Sequence, residues 1–489
     1  MGDEFLYNTT GSLSLKNMGI KKIVNVKKDN KIQLKKTIKK VRFVNSPLRV
    51  IVISFLSVII IGTILLTMPF SSKNGEFTSV IDAFFTATSA TCVTGLIIAD
   101  TFTKWTIFGQ IVILCLIQVG GLGLVTLVTF FNVAIGRKIG LKNMQLAQES
   151  ISCPSFSEIN SIIKKVVGIS ILIEFIGAVL LSFEFVSQYG KNGIFISIFL
   201  AVSAFCNAGF DILGFQGQFS SLTNYNDNPY VLTIIGLLII FGGLGFLVWN
   251  DLITKRKGRR LLFHTKIVVI VTVTLIVFGG LFFMLAEWNN PETLGNLNTG
   301  EKVTASFFQS VTCRTAGYNS IDQGGLTGIS KIVSIILMFI GAAPGSTGGG
   351  IKVTTVVVIA MTIICAVKGE NGTRISKRCI NQKTVNRSVA IVFCAILAIC
   401  ISSMVIYFTN DPALGIGGSD AFFESTSAFA TVGLSTGITP NLNTISKIFV
   451  SLTMFIGRVG PVSLLFSLIM KQTPVNKNTI SPEANILVG

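Results

Sequence analysis

Apolar residues run along this chain in long blocks, interrupted by short half-polar stretches. Eight blocks reach span length, at about 48–70, 105–135, 161–187, 230–253, 266–287, 330–367, 388–408 and 445–470. Roughly 20 apolar residues in a helix cross a hydrocarbon core about 30 Å thick, so each block is long enough to span. Between the two members of each successive pair lies a run of about a dozen residues, too short to cross. The pattern predicts an all-α polytopic membrane protein with eight transmembrane helices. Composition agrees: 13% of the 489 residues are charged, against about 25% in soluble domains. No cleavable signal is expected, because the first apolar block follows a hydrophilic leader and is itself full length.

The short runs align with one another. They read DAFFTATSATCVTGL (82–96), SIFLAVSAFCNAGF (197–210), SFFQSVTCRTAGY (306–318) and DAFFESTSAFATVGL (420–434). Each passes from bulky apolar residues through small and hydroxylated ones to a glycine followed by a large apolar residue. Those glycines, Gly95, Gly209, Gly317 and Gly433, are 114, 108 and 116 residues apart. A recurring period of this kind marks an internal repeat. A second motif recurs in phase: QVGGLG from Gln118, IFGGLG from Ile240, MFIGAAPG from Met338 and MFIGRVGP from Met454. The chain therefore divides into a basic N-terminal segment (1–45), four units of span, half-length run and second span (46–136, 160–255, 264–367 and 386–471), and a tail (472–489). The second motif is expected to stay helical in every unit except the third.

Net charge is +18, which raises nucleic acid as a partner until the positions are read. If the spans alternate, 31 of the 40 Lys and Arg fall on one side: in the leader, in 137–165, 254–266 and 368–387, and after Ile469. Lys73, Lys104, Lys191, Lys302, Lys331 and Lys447 fall on the other. This is the positive-inside asymmetry, which puts both termini in the cytoplasm. It marks a protein of a lipid bilayer, here a cell membrane, rather than a nucleic-acid binder. The nine Cys include no C-x-x-C pair, and His264 is the single histidine, so neither a zinc site nor a disulfide framework is indicated.

Non-helical backbone at membrane depth is tolerated where protein buries it or water bathes it. Four half-length helices, each ending in x-Gly-x, fit around one axis as a single pore. There their extended ends can offer carbonyl oxygens in place of the hydration shell of a potassium-sized cation. The helices would also turn their negative C-terminal ends toward that axis. Asp82 and Asp420 begin two of the helices and are read as their caps. Asp211 follows the second glycine motif, and Glu424 has no evident role.

The four motifs, above all CRTAGYN and ATVGLSTG, together with the glycine-rich stretch of the third unit, resemble the KtrB/TrkH/HKT superfamily of potassium transporters over nearly all of residues 45–470. Eight spans without further N-terminal helices look more like the KtrB branch. The resemblance implies four pseudo-fourfold M1–P-loop–M2 repeats, a homodimer, a bacterial source and a cytosolic KtrA-like nucleotide-binding ring. Nucleotide is then expected on that partner only. This chain carries no cofactor, potassium is the transported ion, and sodium is an activator the resemblance allows. Carried onto this chain, the selectivity filter is Val93, Thr94, Gly95 and Leu96; Asn207, Ala208, Gly209 and Phe210; Thr315, Ala316, Gly317 and Tyr318; and Thr431, Val432, Gly433 and Leu434. Potassium would lie at their backbone carbonyls. In plant relatives that favour sodium, serine replaces the first filter glycine; Gly95 is intact. Asn207 and Thr315 break fourfold identity.

Three cations lie in or beside the spans. Arg314 precedes Thr315 and is read as a support behind the filter, tied to a carboxylate or to carbonyls. Arg458, in MFIGRVG, takes the slot of Ala342 in MFIGAAPG, and a charge there costs several kcal/mol unless paired. It should face the stretch Gly341, Ala342, Ala343, Pro344, Gly345, Ser346, Thr347, Gly348, Gly349 and Gly350. That stretch nearly spells a phosphate-binding loop, but Ile351 stands where the motif requires Lys, and Lys352 comes one place late. As one helix, 330–367 would reach about 57 Å at 1.5 Å per residue, so the span should open at these poor helix formers. The resemblance gives the loop and Arg458 a gating role beneath the filter. Competing readings are a weakly selective sodium/potassium uptake protein and a carrier of organic solutes. The latter predicts inverted two-fold repeats and intramembrane acids, whereas the repeats here are four and parallel, with Glu174 the clearest acid within a span. No nucleophile, base or metal cluster points to an enzyme.

Overall fold

A long helix, a half-length helix, an extended stretch and a broken helix follow one another four times along the chain. The computed structural model describes residues 47–134, 159–254, 260–370, 372–376 and 378–469. The N-terminal segment 1–45, the tail 472–489 and most of the basic connections at 137–158 and 255–259 lie outside the described residues. The first group of elements is α1 (Pro47–Thr67), α2 (Val80–Cys92), α3 (Ile107–Leu122) and α4 (Leu124–Ala134). The second is α5 (Ile159–Tyr189), α6 (Lys191–Phe205), α7 (Pro229–Gly243) and α8 (Phe246–Thr254). The third is α9 (Phe263–Glu287), α10 (Thr299–Thr312), α11 (Gly328–Phe339) and α12 (Val353–Val367), and the fourth α13 (Gln382–Thr409), α14 (Gly418–Ala430), α15 (Thr444–Val459) and α16 (Pro461–Ile469). A small antiparallel hairpin, Arg374–Ile375 with Arg378–Cys379, joins the last two groups.

Four helices, α1, α5, α9 and α13, are by themselves long and apolar enough to cross a membrane. They present large apolar side chains outward, such as Phe175 at 64% and Phe393 at 68% exposure. The half-length helices α2, α6, α10 and α14 have 13, 15, 14 and 13 residues, about 20 Å at 1.5 Å each. They are buried instead: Phe85, Phe199, Phe308 and Phe423 are all but sealed from solvent. Protein thus encloses the non-helical backbone at their ends, as a low-dielectric surrounding requires.

The second spans differ from expectation. All four are broken, not just the third. In the first, second and fourth groups one glycine ends the upper helix: Gly123, Gly245 and Gly460 have φ of 81°, 91° and 90°, a region that favours glycine. The break bends α7 from α8 by 94°. The other glycines of the motif serve close packing. A Cβ on Gly120, Gly242 or Gly457 would overlap the carbonyl oxygen of Thr91, Phe205 or Phe429 respectively. Each of those residues stands four before Gly95, Gly209 or Gly433. In the third group Gly341 has left that seat, and the chain runs through a loop before α12 begins.

Every second span packs on the half-length helix of the next group: α3 on α6, α7 on α10, α11 on α14 and α15 on α2, which closes the circle. Two ion pairs brace it, Lys331 with Asp420 at 3.4 Å and Lys447 with Asp82 at 2.9 Å. Asp82 and Asp420 are therefore not caps; Ser79 and Gly417 hold the N-cap positions. Because the Asp82 side chain is 38% exposed, solvent screens its pair, and exposed pairs are worth up to about 1 kcal/mol. Lys447→Ala is expected to cost less than about 1 kcal/mol, read as a small shift in thermal unfolding of the detergent-solubilised protein.

Candidate functional site

The half-length helices end alike. Val93, Asn207, Thr315 and Thr431 follow their last turns in left-handed conformation, with φ of 58°, 60°, 69° and 52°. Two residues later Gly95, Gly209, Gly317 and Gly433 again have positive φ, at 90°, 68°, 80° and 94°. The intervening Thr94, Ala208, Ala316 and Val432 do not. Alternating the sign of φ turns successive carbonyls to one side of the strand. Main-chain N–H groups of the intervening residues are tied back to the helices: Thr94 to the carbonyl of Ser89 at 2.8 Å, Ala208 to Ser203 at 2.8 Å, Ala316 to Thr312 at 3.1 Å and Val432 to Ser427 at 2.9 Å. Hydroxyls complete the brace. Ser89 and Ser427 accept from the N–H of Gly95 and Gly433 at 3.1 and 3.0 Å. Ser203 and Thr312 donate to the carbonyls of Phe210 and Tyr318 at 2.7 and 2.8 Å.

The four glycines meet. A Cβ added to Gly95 would strike the Ala208 carbonyl and lie 3.2 Å from the Cα of Gly209. One on Gly209 would meet Ala316 and Gly317, one on Gly317 would meet Val432 and Gly433, and one on Gly433 would meet Thr94 and lie 3.0 Å from Gly95. The succession closes on itself. Each strand therefore approaches its neighbour as closely as glycine allows, and the four glycines with Thr94, Ala208, Ala316 and Val432 form one ring, the other expected residues adjoining them along each strand. Among the described residues, none of the carbonyls of 93–95, 207–209, 315–317 and 431–433 accepts a hydrogen bond. Buried backbone acceptors are nearly always paired. Twelve unpaired carbonyls on these four strands, backed by four helix C-termini of partial negative charge, form a site that a desolvated cation would satisfy.

Directly beside the ring lies the glycine-rich loop. Ile340 and Ile351 pair at its neck, the Gly341 N–H donating to the Ile351 carbonyl at 2.9 Å. Positions 348 and 349 have to be glycine, since a Cβ would meet the hydroxyls of Thr315 and Thr431. One flank of the loop is sewn onto the α7–α8 break: Ala343 and Thr347 donate their N–H groups to the carbonyls of Gly243 and Gly242 at 3.1 and 3.3 Å, and the Gly345 carbonyl accepts from Phe246 at 2.7 Å. On the opposite flank, Arg458 donates to the Thr347 carbonyl and to those of Gly120 and Gly121 at the end of α3, the last at 3.2 Å. Its charge is thus met by carbonyl dipoles and a helix C-terminus. Lys352, given no role from sequence, donates to the carbonyls of Gly348 and Gly349 at 2.7 and 3.3 Å. Its place two residues past the last glycine of the loop was the available signal.

Arg314 is buried, reaching Thr272 on α9 through its carbonyl at 3.5 Å and its hydroxyl at 3.4 Å. It borders a small cavity with Ile239, Ile240, Ile276 and Ala342, and no carboxylate meets it among the described residues. Glu174 accepts from Gln118 at 3.1 Å, two residues before Gly120. Glu424 is fully buried beside Ser435 and Thr436. Asp211 follows the ring in the loop between spans and accepts from the Leu213 N–H at 3.0 Å. Burial, with Asp100 nearby, pushes its carboxyl up to about 7.

A family model described as TrkH, cation transport protein, matches residues 26–478. The Ktr system potassium uptake protein B of Bacillus subtilis is 40% identical over 94% of this chain and all of its own length. The potassium/sodium uptake protein NtpJ of Enterococcus hirae is 37% identical over 92% of this chain and 99% of that protein. The crystal structure of the potassium transporter TrkH from Vibrio parahaemolyticus superposes with a TM-score of 0.63, covering 86% of this chain and 85% of that one at 18% identity, a likeness of fold.

Proposed function

The chain belongs to the TrkH family of cation transport proteins, and from that premise we propose that it takes up potassium through the four-glycine ring, which acts as its selectivity filter. The observation that carries this reading is the ring closed by Gly95, Gly209, Gly317 and Gly433, whose strands carry carbonyls without hydrogen-bond partners among the described residues. An ion crossing a low-dielectric region loses its hydration, and carbonyls fixed by bonds at their backs replace it without rearranging. The N–H ties to Ser89, Ser203, Thr312 and Ser427 supply that fixity. The glycine-rich loop with Arg458 is the gate: it lies against the ring's inner residues and carries two cations, Arg458 and Lys352, into the path of a third.

The gate answers to a cytosolic nucleotide-binding subunit, a reading supported by relatives named as parts of a Ktr system. The chain works as a homodimer in the cell membrane with both termini in the cytoplasm, and sodium activates it. A second reading, mixed potassium and sodium uptake, draws on the potassium/sodium name of the Enterococcus relative and on Asn207 and Thr315, which make the ring unequal. One experiment separates them. Purified protein in liposomes, with the cytosolic subunit added and sodium varied, should take up rubidium well above sodium. Comparable fluxes favour the mixed reading, and no cation flux under any condition defeats both.

A further inference from the structure

We propose that Asn207 latches the gate to the filter, so that the loop's position sets the filter's selectivity. This rests on reading the ring as filter and the loop as gate. Asn207 is the ring position at which the four strands differ most in chemistry: its counterparts are Val93, Thr315 and Thr431. Its amide is fully buried and lies between two hydroxyls, 3.2 Å from Thr315 in the neighbouring strand and 3.2 Å from Thr347 in the loop. An amide has a donor end and an acceptor end, and a hydroxyl can serve either, so both bonds form whichever way the amide is turned. With the amide nitrogen turned toward Thr347, that hydroxyl is left to donate to the Phe205 carbonyl at 3.1 Å, in the last turn of α6. Thr347 also offers its own carbonyl to Arg458. One loop residue therefore touches the filter of the second group through its side chain and the arginine of the fourth through its backbone. The hydroxyl of Thr431, the counterpart on another strand, has no partner; the filter is linked to the loop by side chains at the Asn207–Thr315 edge.

When the loop moves aside, Thr347 leaves and a buried amide loses one of its bonds. With its nitrogen on that side the amide keeps the carbonyls of Phe205 and Ile239, at 3.2 and 3.3 Å; Asn207 settles toward them, and Thr315, which shares the amide, shifts with it. Loop position is thereby transmitted to the first carbonyls an ion meets from the loop side. Asn207 acts as a positioning residue, through Thr315 and Thr347.

The test measures rubidium and sodium fluxes into liposomes, without and with the cytosolic subunit. Thr347→Val keeps the shape and removes the hydroxyl. It should raise rubidium flux without the subunit about five- to tenfold, the scale of one lost hydrogen bond, and it should also lower the rubidium-to-sodium ratio. Thr347→Ser should restore both values. Asn207→Thr should act like Thr347→Val, and the double variant should go no further than either single one, the signature of one shared interaction. A Thr347→Val protein with unaltered flux, or raised flux at an unaltered ion ratio, overturns the latch, as do additive effects in the double variant. Deletion of Pro344–Gly350 in the same assay isolates the premise. If the deletion opens the pore while Thr347→Val does nothing, the gate stands and the latch falls; if the deletion changes nothing, both fall.

Discussion

Alanine at Gly433 is expected to abolish selective rubidium uptake, with a loss of at least about a hundredfold, while the protein still folds. Two costs fall on the same atom. At φ 94° the residue sits where an L side chain is strained, by about 1–3 kcal/mol. The added methyl would also run into the Thr94 carbonyl and stand 3.0 Å from the Cα of Gly95. Neither neighbour is the free end of a side chain; both are main chain in a ring whose N–H groups are tied to helices behind. Relief therefore comes by turning the Thr94 carbonyl or widening the ring, and both spoil the coordination of a dehydrated ion. A few kcal/mol spread over a large helical protein leaves it folded, but tenfold in flux requires only about 1.4 kcal/mol in the barrier. Because the contacts run in a closed succession, Ala at Gly95, Gly209 or Gly317 should act in the same way. Wild-type rubidium uptake by monodisperse Gly433→Ala protein would show that the ion does not pass through the ring.

That ring was legible in the sequence because its cause is local and repeated four times. A glycine at positive φ, hydroxyls in the preceding turn and a half-length apolar helix are properties of neighbouring residues, and the period of the repeat brings them into register. The breaks at Gly123, Gly245 and Gly460 were less so. A lone glycine within an apolar run signals close packing as strongly as a break, and Gly120 and Gly123, three residues apart, do one each. The partners of Lys331 and Lys447 lie 89 and 365 residues away in the chain. No spacing rule reaches that far, and an aspartate at a helix start reads first as a cap. Lys352 was hidden for a different reason. Its acceptors are backbone carbonyls of its own loop, which every residue has, so nothing in the identities of Gly348 and Gly349 announces them.

Removing the loop tests the other half of the reading. Deletion of Pro344–Gly350 is expected to raise rubidium flux without the cytosolic subunit by about a hundredfold and to make it indifferent to that subunit. The loop is held by main-chain bonds to Gly242, Gly243 and Phe246 on one flank and by Arg458 on the other, with each bond worth about 0.5–1.5 kcal/mol and those to a charge about 1.5–3 kcal/mol. A barrier of this composition is several kcal/mol in total, enough to keep the pore shut and small enough for a bound partner to overcome. Arg458→Gln should fall between the intact chain and the deletion. It removes a bond that favours closure, but it also removes a buried charge, which otherwise loses the Thr347 carbonyl on opening and keeps only those of Gly120 and Gly121. Arg458 therefore opposes opening through its bond to the Thr347 carbonyl, and its positive charge repels a cation brought beside it. If Arg458→Gln lowers flux instead, the arginine holds the pore open or holds the fold together. If the deletion leaves flux dependent on the subunit, the gate lies elsewhere in the chain.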